Sequence, residues 1–246
     1  MSRTIAHLSD LHFDLSEARL KQAESLRDRL RERRVDHVLV TGDVTENGRA
    51  LEYDQFKRVF EEFLDGGSCT VIPGNHDRLG HEVAKDMMEN QRMCIVRRPG
   101  LYLIAVDTTG PHNRWSFFPH GTLARWTIKR IARAIEDAGR EDFVVVAMHH
   151  HVVPLPEENW MEKLAAMFRT RFAAELTLGQ YLIRRLHGRC DLLLHGHRHV
   201  PMETRLPGRR TLRVVNGGSS TQQNGFRIFR FSGRELRGEP EWVECG

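Results

Sequence analysis

The chain is poor in cysteine and in lysine, and it lacks any long apolar run. Its 246 residues include only four cysteines, Cys69, Cys94, Cys190 and Cys245, with no C-x-x-C pair among them. A disulfide framework and a thiolate metal site are therefore both unsupported, and four reduced thiols are expected. No apolar stretch approaches the roughly 20 residues of a membrane span. The start, "MSRTIAHLSDLH", lacks the basic and apolar regions of a signal peptide, so a cytoplasmic location is expected. No internal repeat or low-complexity linker occurs, and no additional nucleic-acid-binding domain is evident after residue 220. The length suits one domain over residues 1–246 with a substantial core.

Lysine is scarce: Lys21, Lys57, Lys85, Lys129 and Lys163 are five of 37 basic residues, which leaves 32 arginines at a formal charge of +4. Runs such as Arg31-Glu32-Arg33-Arg34 mix signs and read as solvated helix faces. A positive field that draws in anionic substrates is the second reading. Histidine, by contrast, is abundant, with 14 residues, and their placement carries the information.

Short apolar runs alternate with amphipathic segments. Thr4 to Leu8, "HVLVTGDV", "SCTVIPGNHD", "LYLIAVD", "DFVVVAMHHH" and "DLLLHGHRH" read as six strands. Residues 16–33, with Ser16 as N-cap, "EYDQFKRVFEEFL" and "LARWTIKRIARAIEDAG", closed by Gly139, read as helices. "TLRVVNGGSS" and "GFRIFRFSG" are two further strands, expected to pair as a C-terminal hairpin. The order predicts a layered α/β fold with some antiparallel pairing. Residues 155–188 exceed one connecting helix; they are expected to form two helices that pack on the core or cap the site.

Five runs finish in residues able to bind metal: Asp10 and His12; Asp43; Asn75, His76 and Asp77; His149 to His151; and His195, His197 and His199. Residues two apart in an extended segment share a side, so Asp10 is expected to face with His12, and His197 with His199. Ligand sites of open α/β sheets lie beyond the carboxyl ends of the strands, so these ends are expected to converge. Gly42, Gly74 and Gly196 each precede a candidate ligand where the backbone must turn or approach closely. One such end alone would be a cap, a turn or a buried histidine; five together point to a metal site. Nitrogen and oxygen donors without thiolate suit Mn, Fe or Zn.

The motifs "DLH", "GDVTENG", "GNHD", the histidine run after "VVVAM", and "GHRH" stand in an order that resembles the calcineurin-like metallophosphoesterases. "GDVTENGRALEYDQF" and "FPHGTLARW" are similar to the bacterial branch that includes class III cyclic nucleotide phosphodiesterases. The resemblance covers roughly residues 4–220. It implies a layered metallophosphoesterase fold, with β-sheets sandwiched by helices, and two divalent metal ions. One ion would be held by Asp10, His12, Asp43 and His199, the other by Asp43, Asn75, His149 and His197, with Asp43 bridging. A hydroxide shared by the metals would attack phosphorus in line. His76 would serve the leaving oxygen, oriented by Asp77. His150 and His151 would support or pack, and His195 receives no role.

The implied substrate is a small phosphorylated molecule: a phosphodiester, including 3′,5′-cyclic nucleotides, with phosphomonoesters as side substrates. A lipid-linked pyrophosphate or phospholipid headgroup is the alternative, and a non-catalytic scaffold is a third reading, disfavoured because every motif residue is retained. Residues 108–122 are expected to overlook the site. There His112, Arg114 and His120 would meet phosphate or base, and Trp115, Phe117 and Phe118 would stack or pack inward. "NGGSS", residues 216–220, is expected to shape backbone near the metals.

Overall fold

Strands buried on both faces read as continuous apolar runs, and here each run divides its side chains between two separate cores. A computed structural model describes residues 2–81, 83–110, 121–153, 176 and 178–246. In β6 (Phe143–Met148), Val144, Val146 and Met148 face helices, while Phe143, Val145 and Ala147 face a second sheet. β2 (His37–Thr41) does the same, with Val38 and Val40 toward helices and Leu39 toward the other sheet. This period of two on doubly buried strands makes a four-layer stack, helices–sheet–sheet–helices.

The first sheet runs β11-β10-β1-β2-β3, with β12 also on β10. β1 (Arg3–Leu8), β2 and β3 (Cys69–Ile72) are parallel, and β10 (Gly225–Ser232) is antiparallel to β1. β11 (Glu235–Leu236) and β12 (Glu241–Glu244) both pair with β10. The second sheet runs β4-β5-β6-β7-β9-β8. Its parallel centre is β5 (Leu101–Val106), β6, β7 (Leu192–His195) and β9 (Leu212–Asn216), edged by antiparallel β4 (Met93–Arg98) and β8 (Met202–Leu206). Between the sheets, Phe143 stacks on Phe231 with centroids 4.6 Å apart.

Helix α1 (Glu17–Arg33) starts where Ser16 Oγ accepts from the Arg19 N–H at 3.2 Å, and it ends at Arg34 in the left-handed region. Its Ala23, Leu26 and Leu30 cover the first sheet with Phe56 of α2 (Ala50–Val59) and Phe63 of α3 (Glu61–Asp65). A short helix α4 (Ala84–Met87) precedes β4. α5 (Arg125–Glu136) and α6 (Gly179–Leu186) cover the second sheet through Ile128, Ile131, Leu182 and Leu186. Among the described residues, no helix is long and apolar enough to cross a membrane.

Three expectations need correction. Residues 211–220 and 225–233 do not pair, since β9 lies in the second sheet and β10 in the first. The antiparallel hairpins there are β8–β9 and β10–β11. α5 ends at Asp137 rather than Gly139, whose N–H donates to Asp142 in the next turn. The segment 52–64 forms two helices divided at Phe60, whose ψ of 15° departs from the helical value. Of residues 155–188, 155–175 and 177 lie outside the described residues. The final part, α6, packs on the core rather than over the site.

Candidate metal centre

Two loops leave the carboxyl ends of neighbouring parallel strands side by side. The N–H groups of Asp10, His12 and Phe13 donate to the carbonyls of Gly42, Asp43 and Val44 at 3.0, 2.9 and 2.8 Å. The backbone must twist sharply to hold this register: Asp10, His12, Asp43 and His197 all adopt positive φ, between 47° and 73°. Non-glycine residues there store strain, and such strain concentrates at functional sites. The pairs Asp10/His12 and His197/His199 are therefore not extended, and the expected i, i+2 geometry does not apply. Asp10 and His12 still meet in one group, whereas His197 and His199 join different ones. At Gly74, an added Cβ would collide with the Asp43 carboxylate and amide.

The donors gather in three groups, each with its atoms within 4.8 Å of one another: Asp10, His12 and His199; Asp43, His149 and His197; and His12, Glu46 and His76. The first two combine residues from both sheets. His12 Nε2 lies 3.2 Å from His199 Nε2, and His199 Nε2 lies 3.5 Å from Asp10 Oδ1. Asn75 Oδ1 sits between His149 Nε2 at 3.1 Å and His197 Nδ1 at 3.0 Å. His149 Nε2 is 3.3 Å from Asp43 Oδ2.

Charge makes this arrangement unusual. Asp10 and Asp43 are 0% and 2% exposed, and among the described residues neither pairs with a lysine or arginine; their ionic neighbours are imidazoles. Burial works against the Asp43 carboxylate, but His149 and His76 hold its pKa well below the usual range. Burial likewise lowers His149, while Asp43 and Asp10 bring it up to about 9. His197 is pushed well down by burial and by His150 and His149. Buried carboxylates with no permanent cation, among imidazoles that repel one another's protons, fit a divalent ion.

The surroundings hold each candidate ligand. The Thr41 carbonyl lies 2.8 Å from His149 Nδ1, and the Glu46 carboxylate 2.8 Å from His12 Nδ1. Partners at these distances favour protons on Nδ1 and leave each Nε2 lone pair for a metal. Ser219 Oγ and Thr221 Oγ1 donate to the carbonyls of Asp10 and Leu11 at 2.8 and 3.0 Å, and the Ser9 N–H donates to Ser220 Oγ at 3.1 Å. The 216–220 loop thus acts through hydroxyls as well as glycines. Asn216 Nδ2 binds the carbonyls of Arg198 and Val200, which fixes the loop that carries His197 and His199.

His76 lies at the same rim, 4.8 Å from His12 by ring centroid. Its Nδ1 faces the Glu46 carbonyl at 2.7 Å, and its backbone N–H donates to Asp43 Oδ1 at 2.8 Å. Asp77 does not orient it. That carboxylate is buried and accepts the N–H groups of Gly74, Val44 and Thr45 at 2.8, 3.2 and 2.9 Å, pinning the β2 and β3 loops together. Glu46, five residues beyond the end of β2 and outside the polar cluster that ends it, takes the orienting place. Arg78, the residue after "GNHD", donates to Asp107 at 2.6 Å and ties that loop to the second sheet.

His150 Nδ1 lies 2.8 Å from Thr108 Oγ1. His151 packs parallel to His197, with centroids 5.8 Å apart, and burial pushes its pKa down to about 3. His195 ends β7 fully buried, and burial pushes its pKa down to about 4. His112, Arg114, Trp115, Phe117, Phe118 and His120 lie outside the described residues, as does Trp160 of the segment expected to cap the site.

Comparison with known proteins agrees with this geometry. The chain is 26% identical over 167 residues to a cAMP/cGMP dual specificity phosphodiesterase of Mycobacterium tuberculosis, covering 61% of this chain and 50% of that one. It is 30% identical over 133 residues to the 3′,5′-cyclic adenosine monophosphate phosphodiesterase CpdA of Pseudomonas aeruginosa, covering 53% and 45%. The matches thus span about half the length of these relatives. In structure, a dimetal phosphatase from Danio rerio superposes with a TM-score of 0.64 at 12% identity over 99% of both chains, which speaks to fold alone. Residues 3–201 match the family described as calcineurin-like phosphoesterase, and the chain belongs to that family.

Proposed function

We propose that this protein hydrolyses phosphate esters with two divalent metal ions, and that phosphodiesters, with 3′,5′-cyclic nucleotides foremost, are its substrates. One observation carries the reading: two three-donor groups, each built from both sheets, surround buried carboxylates that have no lysine or arginine partner. In this reading Asp10, His12, Asp43 and His199 hold one ion, and Asp43, Asn75, His149 and His197 the other. The bacterial cyclic nucleotide phosphodiesterases among its relatives support the substrate class.

When bound, the ions supply Lewis acidity toward the phosphoryl oxygens and activate a water. The chain's own residues do the remaining work. His76 gives a proton to the departing ester oxygen. Burial lowers its pKa, while the Asp43 carboxylate and the Glu46 carbonyl raise it; a protonated imidazole is the form a general acid requires. The Glu46 carbonyl fixes the ring through Nδ1 and leaves Nε2 to face the substrate. Asp77 and Arg78 keep the loop in place from beneath and from the side.

Assaying the Mn²⁺-loaded protein on bis-p-nitrophenyl phosphate, p-nitrophenyl phosphate, cyclic AMP and a lipid phosphate tests the reading. Turnover of the diester and of cyclic AMP ahead of the monoester is expected. Turnover of the monoester alone would refute the diesterase preference. An Asn75→Ala variant with wild-type metal content would refute the ligand assignment.

A further inference from the structure

The opposite end of the sandwich carries an excess of positive charge. A cleft of about 710 Å³ opens there between Phe143 at the start of β6, Thr211 just before β9, and the turn joining β10 to β11. Six arginines line it, Arg140, Arg209, Arg210, Arg213, Arg234 and Arg237, against three carboxylates. Ion pairing accounts for part of this charge. Arg213 meets Glu203 and Glu239 at 3.0 and 2.9 Å, and Arg237 lies 3.8 Å from Glu235. Arg210 and Arg234 share a single carboxylate, that of Asp191, at 3.5 and 3.1 Å. Arg140 and Arg209 have no carboxylate within ion-pair distance among the described residues.

Four guanidiniums, those of Arg140, Arg209, Arg210 and Arg234, therefore line a recess where Asp191 pairs with two of them and Glu141 is the one further carboxylate without an ion pair of its own among the described residues. Planar guanidinium forks match phosphate oxygens in pairs, and the volume falls in the range of small-molecule sites, roughly 300–1,000 Å³. We infer that this cleft is a second binding site, separate from the metal centre, for a small soluble phosphate-bearing anion. The separation follows from the strands themselves. Phe143 and His149 bracket β6, and six residues at about 3.3 Å each put roughly 20 Å between the cleft and the metal ligands. A recess walled by both sheets suits a small anion that can enter it, rather than a flat membrane surface.

Calorimetric titration of the full chain with inorganic pyrophosphate, in buffer containing EDTA, tests the site without metal-held phosphate. One saturable site is expected, and Asn75→Ala should bind as the wild type does. The double variant Arg209→Ala/Arg210→Ala should weaken binding by about tenfold or more, a step of about 1.4 kcal/mol. Arg140→Ala, whose side chain holds no ion pair, should weaken it severalfold. Both variants should keep wild-type turnover of bis-p-nitrophenyl phosphate without pyrophosphate, which also certifies their folding. Absence of saturable binding, equal affinity in both arginine variants, or loss of binding in Asn75→Ala would overturn the inference. Co-sedimentation with phosphatidylglycerol vesicles without affinity for pyrophosphate would overturn it too.

Discussion

Asp36 and Asp43 flank the same strand, β2, and the fold treats them in opposite ways. Asp36, before the strand, is a third exposed and fully answered: Arg3 donates to it at 2.7 Å, and the Thr4 N–H and hydroxyl at 2.9 and 2.8 Å. Asp43, after the strand, is buried and faces imidazoles. The pattern extends to the whole sandwich. At the amino ends of the strands, arginine outnumbers carboxylate; at the carboxyl ends, Asp107 is held by Arg78 and Arg92, but the buried Asp10 and Asp43 have no arginine partner among the described residues. A carboxylate answered by its own chain is structural. One left to histidines is available to an ion from solution.

Substitutions at the two ends should therefore separate activity from stability. Asp43→Ala should have the largest effect, with turnover below detection and reduced metal content by mass spectrometry of the purified protein. His76→Ala should lower kcat by roughly 10²–10⁴-fold, the usual worth of a general acid, while metal content stays intact. At the other end, Phe143→Ala removes a buried ring from its stack on Phe231. It should cost about 3–5 kcal/mol in urea unfolding, with kcat per folded molecule unchanged.

Acid should act next, through His37 at the amino end of β2. Burial, helped by the charge of Arg98, pushes its pKa down to about 4. The unfolded chain takes up this proton near pH 6.5 and the folded chain only near 4. Folding stability should thus fall as pH drops through that window, by on the order of 3 kcal/mol from this group. Urea unfolding at several pH values should show the loss, and His37→Gln should flatten the slope. Ser16→Ala, which removes the α1 cap and the hydroxyl's bond to Asp14, should cost about 1 kcal/mol and leave kcat alone.

Much of this fold is readable in the sequence because its central strands are buried on both faces. β1, β2, β3, β5, β6 and β7 each read as an apolar run that stops at a polar cluster. Edge strands carry no such contrast. β4, "MCIVRR", alternates buried, half-buried and exposed positions, and β8, "METRL", is nowhere fully buried, so neither stands out. The helix break at Phe60 is equally silent, because Phe56, Phe60 and Phe63 keep helical spacing across it and share one core. The misplaced hairpin has a different cause. β9 and β10 are neighbours in the chain and both apolar, but residues 217–224 cross between the sheets and bind the β1 loop on the way.

The candidate site divides in the same manner. The residues that end apolar runs were visible one motif at a time, because a buried strand that stops in aspartate or histidine is chemically conspicuous. Glu46, Arg78 and Thr221 were not. Each sits in a loop of ordinary polar composition, and its role depends on which loop lies opposite.

By itself, the sequence determined which residue types stand at the strand ends and that the strands are buried on both sides, since both are local properties of residue order. Only the tertiary structure decided that β9 and β10 part into different sheets, that Asp77 braces backbone instead of a ring, and that arginines collect at the far end. Each of these depends on two sheets meeting at one register, and a distance across that contact is set by packing between segments that the chain order leaves far apart.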